Sequence, residues 1–192
     1  KWNKDFFKND APIVLELGGG MGEYTLGLAE KYPNKNFLGI DIKGARMWQG
    51  ASKALEKKIN NVGFLRIRIE WIEECFSSNE VSEVWITFPD PQIKKRRSSK
   101  RLTHPIFLKK YSNILVNDGV LHLKTDSEFL YGFTLGIISA GNHHLLDATN
   151  DLYSSLQKRE HMEIKTHYEQ KFLDLGKPIT YIKFKLNDAK NC

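Results

Sequence analysis

Asp90 stands between Pro89 and Pro91, just ahead of a dense cationic run, Lys94-Lys95-Arg96-Arg97-Ser98-Ser99-Lys100-Arg101. The prolines fix φ and remove backbone donors, which holds the carboxylate in one place. A rigid acid could stabilise positive charge developing on a reacting group. The six cations between positions 94 and 101 could grip a polyanion beside it. Taken alone, the cationic run is equally compatible with a solvated charged loop.

Other residues bear on the same chemistry. Gly18, Gly19, Gly20 and Gly22 follow the apolar stretch Ile13-Val14-Leu15-Glu16-Leu17. A dinucleotide fingerprint starting at Gly18 needs glycine at position 23, where Glu23 stands. That position opens the next helix, where a pyrophosphate would want free N–H groups and a carboxylate repels it. No Gly-Lys-Ser/Thr is present, which excludes a P-loop. The loop suits a ligand that needs close backbone approach and carries no phosphate, and S-adenosylmethionine fits. Asp41, 21 residues past Gly20, is placed to accept from both ribose hydroxyls. Glu70 is placed for the adenine amino group and Glu16 for the methionine ammonium.

These residues need elements to position them. Residues 13–17, 36–41, 62–69, 81–88 and 120–124 read as strands, rich in β-branched and aromatic residues. Helices are expected after the glycine loop up to about residue 32, over 43–58, through Ile72 and Cys75, and from Pro105 to a stop at Asn117-Asp118-Gly119. Another begins after Ser127, a good N-cap. Residues 143–148 and 179–186 read as late strands, and 149–177 as a long irregular, functional stretch. Alternating strand and helix specify a mostly parallel sheet with helices on both faces. Glu16, Asp41, Glu70, Asp90 and Asp126 then gather along the edge formed by the strand C-termini, where open α/β sheets bind ligands.

The chain has 192 residues, enough for one domain, 1–192, with its own core. Its formal charge of +6 favours an anionic partner, nucleic acid first, and without the six cations of 94–101 the rest is neutral. Two cysteines, Cys75 and Cys192, without a paired spacing argue against a disulfide framework or structural zinc and suit a reducing cytoplasm. The six histidines show no metal-ligand spacing, so no metal is expected. No apolar run approaches the roughly 18 residues of a membrane span. Lys1-Trp2-Asn3-Lys4-Asp5 shows no signal-peptide pattern, and the absence of an initiator Met leaves room for an N-terminal extension. Trp48, Trp71 and Trp85 are expected in helix or core contacts.

Several stretches together resemble the bacterial single-chain tRNA (guanine-N7-)-methyltransferases. Leu15-Glu16-Leu17-Gly18-Gly19-Gly20-Met21-Gly22-Glu23 resembles the family's cofactor loop, and Phe37-Leu38-Gly39-Ile40-Asp41 its ribose strand, which usually ends in Glu. Phe88-Pro89-Asp90-Pro91 with Lys94-Lys95-Arg96 and Lys100-Arg101-Leu102 resembles its most specific signature, although Gln92 stands where Trp is usual. Lys124-Thr125-Asp126 and Thr166-His167-Tyr168-Glu169, with Lys171-Phe172 behind, resemble two further blocks. The family's basic N-terminal residues are not in this chain.

The resemblance implies a Rossmann-like S-adenosylmethionine-dependent methyltransferase fold: a mostly parallel seven-stranded sheet, helices on both faces and an antiparallel last strand. It implies methyl transfer to N7 of the variable-loop guanine, position 46, of tRNA. Glu16, Gly18, Gly20, Asp41, Glu70 and Asp90 would then bind the cofactor, with Asp90 catalytic. Lys94, Asp126, Thr166, His167, Tyr168 and Glu169 would bind tRNA and its guanine. N7 already presents a lone pair, so no general base is needed, and Asp90 or Asp126 would stabilise the cationic product. Rival readings are a methyltransferase with another RNA or protein target and a silent RNA-binding relative. A dinucleotide oxidoreductase is disfavoured by Glu23. Monomer and homodimer both remain open.

Overall fold

The structure, a computed structural model, describes residues 1–154, 159 and 163–187. Seven strands form one sheet: β1 (Ile13–Leu17), β2 (Asn36–Asp41), β3 (Val62–Arg66), β4 (Val81–Thr87), β5 (Leu115–Thr125), β6 (His144–Thr149) and β7 (Thr180–Lys185). Their order is β3-β2-β1-β4-β5-β7-β6. The pairs from β3 through β5 are parallel, and β7 runs antiparallel to both its neighbours, as expected. The helices are α1 (Trp2–Asp5), α2 (Glu23–Lys31), α3 (Gly44–Glu56), α4 (Ile72–Cys75), α5 (Pro105–Ile114), α6 (Glu128–Ala140) and α7 (His167–Asp174).

Strand alternation divides the core between the two faces of the sheet. Ile13, Leu15, Leu17, Leu38, Ile40, Val84, Ile86, Leu121 and Leu123 pack in one cluster with residues of α5 and α6. Val14, Phe37, Trp85 and Tyr181 pack in the other with Tyr24, Leu26 and Leu28 of α2. Glu16, two residues on from Val14, lies on this second face, and so does Lys124, which pairs in register with Thr87 and Tyr181. Strand period alone therefore sets a buried acid and a buried amine on one face, near the C-terminal ends of β1 and β5.

Three expected elements differ. β3 stops at Arg66, because its last partner, Asp41, ends β2; Ile69–Trp71 then forms a single 3-10 turn. Asn117-Asp118-Gly119 does not terminate α5. That helix ends at Ile114 and β5 starts at once, with the triplet taken up in a register shift between Leu115 and Val120. Asp118 has φ of +63°, which Asp tolerates better than most residues. The expected irregular stretch contains α7, opened by a capping box in which Thr166 and Glu169 satisfy each other's backbone N–H groups. Residues 155–158 and 160–162 of that stretch, and Cys192, lie outside the described residues. Trp85 is core, but Trp48 and Trp71 are exposed.

A buried ion pair fastens α7 to the sheet. Lys124 Nζ lies 2.7 Å from Glu169 Oε1 and 2.9 Å from Oε2, with both side chains fully buried. Tyr153 donates to Glu169 at 2.6 Å, and the ammonium sits 4.9 Å from the Tyr24 ring centroid. Burial pushes the Lys124 pKa down, while Glu169 acts in the opposite sense. Such a pair adds little net stability, but leaving one partner behind is costly. Lys124→Met is expected to destabilise the fold by about 3–5 kcal/mol, and Lys124→Met with Glu169→Leu to recover part of that. Denaturant unfolding of the three proteins measures both.

Deeper on the same face, His122 stacks on Trp85 at 3.8 Å and 5°, and its Nδ1 is 2.8 Å from the Tyr181 hydroxyl. Glu83 faces its Nε2 at 3.5 Å. Burial pushes the His122 pKa below its ordinary 6.5. Burial works against the Glu83 carboxylate too, but the adjoining His122 ring and the Lys35 ammonium, which donates to it, outweigh it and hold that pKa at about 2. Below about pH 6.5 the unfolded chain therefore takes up a proton that folded His122 resists, and stability falls as pH falls. Melting temperature should drop between about pH 7 and 5, with a shallower slope in His122→Gln; equal slopes would remove His122 from the effect.

Candidate active site

A cavity of about 430 Å³ opens at the C-terminal edge of the sheet, within the range of small-molecule sites. Its floor is the turn after β1. Gly18, Gly20 and Gly22 have φ of +79°, +53° and +74°, a region that side-chain-bearing residues rarely occupy. A Cβ on Gly22 would also lie 2.5 Å from Phe64, so position 22 has room only for glycine. Glu16 is buried at the back, where its carboxylate accepts from the Thr87 hydroxyl at 2.6 Å and from the Thr25 N–H at 2.9 Å, as well as from the Thr25 hydroxyl. Burial pushes its pKa up against these bonds. Thr25 and Thr87, both on the Glu16 face, were not legible as site residues.

Asp41 comes to the glycine loop without lining the cavity. Its carboxylate accepts from the Gly20 N–H at 3.0 Å and the Lys43 N–H at 2.8 Å. Asp90 and Asp126 both line the cavity. Asp90 is exposed and accepts from the Gln92 N–H at 3.0 Å, closing a turn on its own loop. Phe88 and Gln92, on either side of Pro89-Asp90-Pro91, both have φ of +46°. Non-glycine residues there cost of order 1–3 kcal/mol each, a cost that clusters at functional sites. Gln92 thus belongs to the turn's backbone geometry, and its carbonyl accepts from Arg101 at 3.1 and 3.3 Å.

The last wall comes from α7. Thr166, Tyr168 and Phe172 line the cavity, and Phe172 stacks on Phe88 at 5.9 Å. His167 is exposed; its N–H donates to Glu23 at 2.7 Å, joining the starts of α2 and α7. Glu23 also lines the cavity, so the acid that argues against a phosphate site is built into the wall.

Three residues lie apart from the cavity lining. Glu169 does not reach the cavity: it is spent on Lys124, Tyr153 and the α7 N-terminus, so it positions its neighbours. Glu70 does not line the cavity; it is exposed and paired with Arg68 at 3.3 Å in the turn after β3, its carboxyl held low by its own backbone N–H and by Arg68. Arg101 is buried between the Phe129 and Phe133 rings, at 4.7 and 4.4 Å, and cannot meet an external phosphate. Lys94 and its followers through Lys100 remain on the surface, with Lys95–Lys100 in a 3-10 helix.

The cavity lining sums to one sign. Glu16, Glu23, Asp90 and Asp126 face Arg46 alone among its charged residues. Such a lining favours a cationic ligand and opposes a phosphate. S-adenosylmethionine, with its sulfonium and ammonium, fits the donor set. Among the described residues no group of three or more acids, histidines or cysteines could hold a metal, and no helix is long and apolar enough to cross a membrane.

Residues 10–182 match a family model described as a putative methyltransferase. A tRNA (guanine-N(7)-)-methyltransferase of Christiangramia forsetii is 57% identical over 97% of this chain and 84% of its own length. Proteins of the same name from Bacteroides fragilis and Listeria monocytogenes are 52% and 33% identical, covering 97% and 96% of this chain and 73% and 85% of their own. Among solved structures, the 16S rRNA methyltransferase KamB superposes with a TM-score of 0.70 at 14% identity, over 92% of this chain and 88% of that one. A 30S ribosomal methyltransferase from an uncultured bacterium gives 0.69 at 20%, over 95% and 91%. These structures share the fold; the sequence relatives carry the family. With its glycine turn, its acid-lined cavity and its Asp90 loop in place, the chain belongs to the tRNA (guanine-N(7)-)-methyltransferases.

Proposed function

We propose that this protein transfers a methyl group from S-adenosylmethionine to N7 of a tRNA guanine, at position 46 of the variable loop, in the cytoplasm. The observation that carries this reading is the change of sign at the cavity mouth. Inside, four carboxylates face one guanidinium. Outside, the strand end that bears Asp90 runs on into the exposed Lys94–Lys100 arm. A cationic donor suits the interior and a polyanion suits the rim.

The bound donor supplies a methyl cation equivalent: the sulfur–carbon bond breaks with its electron pair on sulfur, and the N7 lone pair forms the new bond. No proton moves, so the protein's task is alignment and charge. Gly18 and Gly20 let the backbone approach the donor, with Glu16 toward its ammonium and Asp41 toward its ribose. Positive charge passes to the guanine, and Asp90 beside Asp126 stabilises it there. Either carboxylate can also accept from guanine N1 and N2, which adenine cannot offer in that pattern. N7 of paired RNA lies in a deep groove that side chains cannot enter, so the guanine must be unpaired or extruded. Thr166, His167 and Tyr168 at the start of α7 then meet the base or its flanking nucleotides, and Lys94 a phosphate.

Incubation with labelled donor and unmodified tRNA should yield 7-methylguanosine in the variable loop; label at another atom or no label overturns the reading. Asp90→Asn is expected to lower transfer by about 10²-fold or more while donor binding by calorimetry is largely retained. Near-normal turnover would remove Asp90 from catalysis. Replacing Lys94 and Lys95 by Ala should raise the tRNA KM and flatten its salt dependence by about two counterions, read from KM against ionic strength.

A further inference from the structure

Three faces of α3 have distinct neighbours. Met47, Gly50 and Ala54 are buried against the sheet, while Arg46 reaches the cavity. The remaining flank carries Trp48, 70% exposed, and Leu55, 80% exposed, seven residues apart and so nearly in line. Gly44, one turn before Trp48, packs against the Arg66 side chain: a Cβ there would lie 3.2 Å from its Cδ. This flank therefore borders β3, which among the described residues pairs only with β2. Arg66 Nε also donates to the Ile42 carbonyl at 3.2 Å, and Ile42 is exposed. Past β3, the Arg68 guanidinium lies 5.9 Å from the ring centroid of Trp71, itself 54% exposed.

We propose that this flank, from Trp48 across Arg66 to Arg68 and Trp71, is a second docking surface for the tRNA, on which unpaired bases stack. The proposal rests on the tRNA reading above and extends it to residues outside the cavity and the Lys94–Lys100 arm. An indole open to solvent beside a guanidinium, as Trp71 is beside Arg68, has the make-up of a base-stacking platform, which exposed Trp48 extends: every base has a π face, and the cations meet the intervening phosphates. Arg66, Arg68 and Lys100 supply cations along this flank, where Glu70 pairs with Arg68 and Asp41 lies opposite Arg66 in the strand register. Lys100 of the arm helps to lower the Glu70 carboxyl.

Trp48→Ala and Trp71→Ala test this, since both side chains are exposed and neither packs in the core. Loss of one stacked base should raise the tRNA KM by about five-fold or more, and the Arg68→Gln variant should lower the slope of log KM against log salt by about one. Donor affinity, read by calorimetry without tRNA, should stay at the wild-type value. Unchanged tRNA KM in both Trp variants overturns the proposal. So does a fall from dimer to monomer in sedimentation with KM unchanged, which would assign the flank to a second copy of the chain. Weakened donor binding by Trp71→Ala, without a change in tRNA KM, overturns it as well and assigns Trp71 to the donor. If the wild type labels no tRNA, the functional reading fails first, and that result is separate from all of these.

Discussion

The site depends on one buried contact, the ammonium of Lys124 held between the two carboxylate oxygens of Glu169. Neither charge has solvent to fall back on, so each requires the other. Lys124 projects from β5, one of the inner strands, and Glu169 from the first turn of α7. The pair converts the rigidity of the sheet into a fixed position for Thr166, Tyr168 and Phe172. Without it, the wall of the cavity would rest on the Phe172–Phe88 stack and the His167–Glu23 bond at the rim. A greasy contact could supply as much stability, but it would not define one register for the helix start as a two-oxygen clasp does.

Charge is partitioned with equal care. Acids line the cavity, relieved there only by Arg46, and further cations lie outside it, on the arm and on β3. The threonine hydroxyls around Glu16 let that carboxylate stay buried at the back. The result is a small negative basin inside a positive rim, with little distance between them. That arrangement sorts two ligands of opposite sign by geometry, before any specific contact forms.

Much of this was legible in the residues. The strand–helix alternation, the glycine turn and the Asp90 loop carry their own local signals, and β1, β2 and the Ser127 cap lie where those signals put them. Thr166-x-x-Glu169 is also a local signal, a capping box, yet it reads equally as a substrate motif. Which of the two holds depends on Lys124, more than forty residues away in the chain, as the pairing shows. The surroundings of Glu70 and Arg101 are likewise set by residues that local sequence does not name. Their types suggest an adenine acceptor and a phosphate donor, but Arg68 beside one and Phe129 and Phe133 around the other decide their surroundings. Burial is a tertiary property, and a charged residue in a loop does not announce it.

The Arg101 guanidinium has a mechanical consequence. It is wedged between two aromatic rings of α6 and bonded to the Gln92 carbonyl, so both ends of the loop from Gln92 to Arg101 are anchored to the body of the protein. Forces that a bulky partner exerts on the lysines of that loop are grounded there before they reach Asp90. Load on the grip is thereby kept apart from accuracy at the reacting atom.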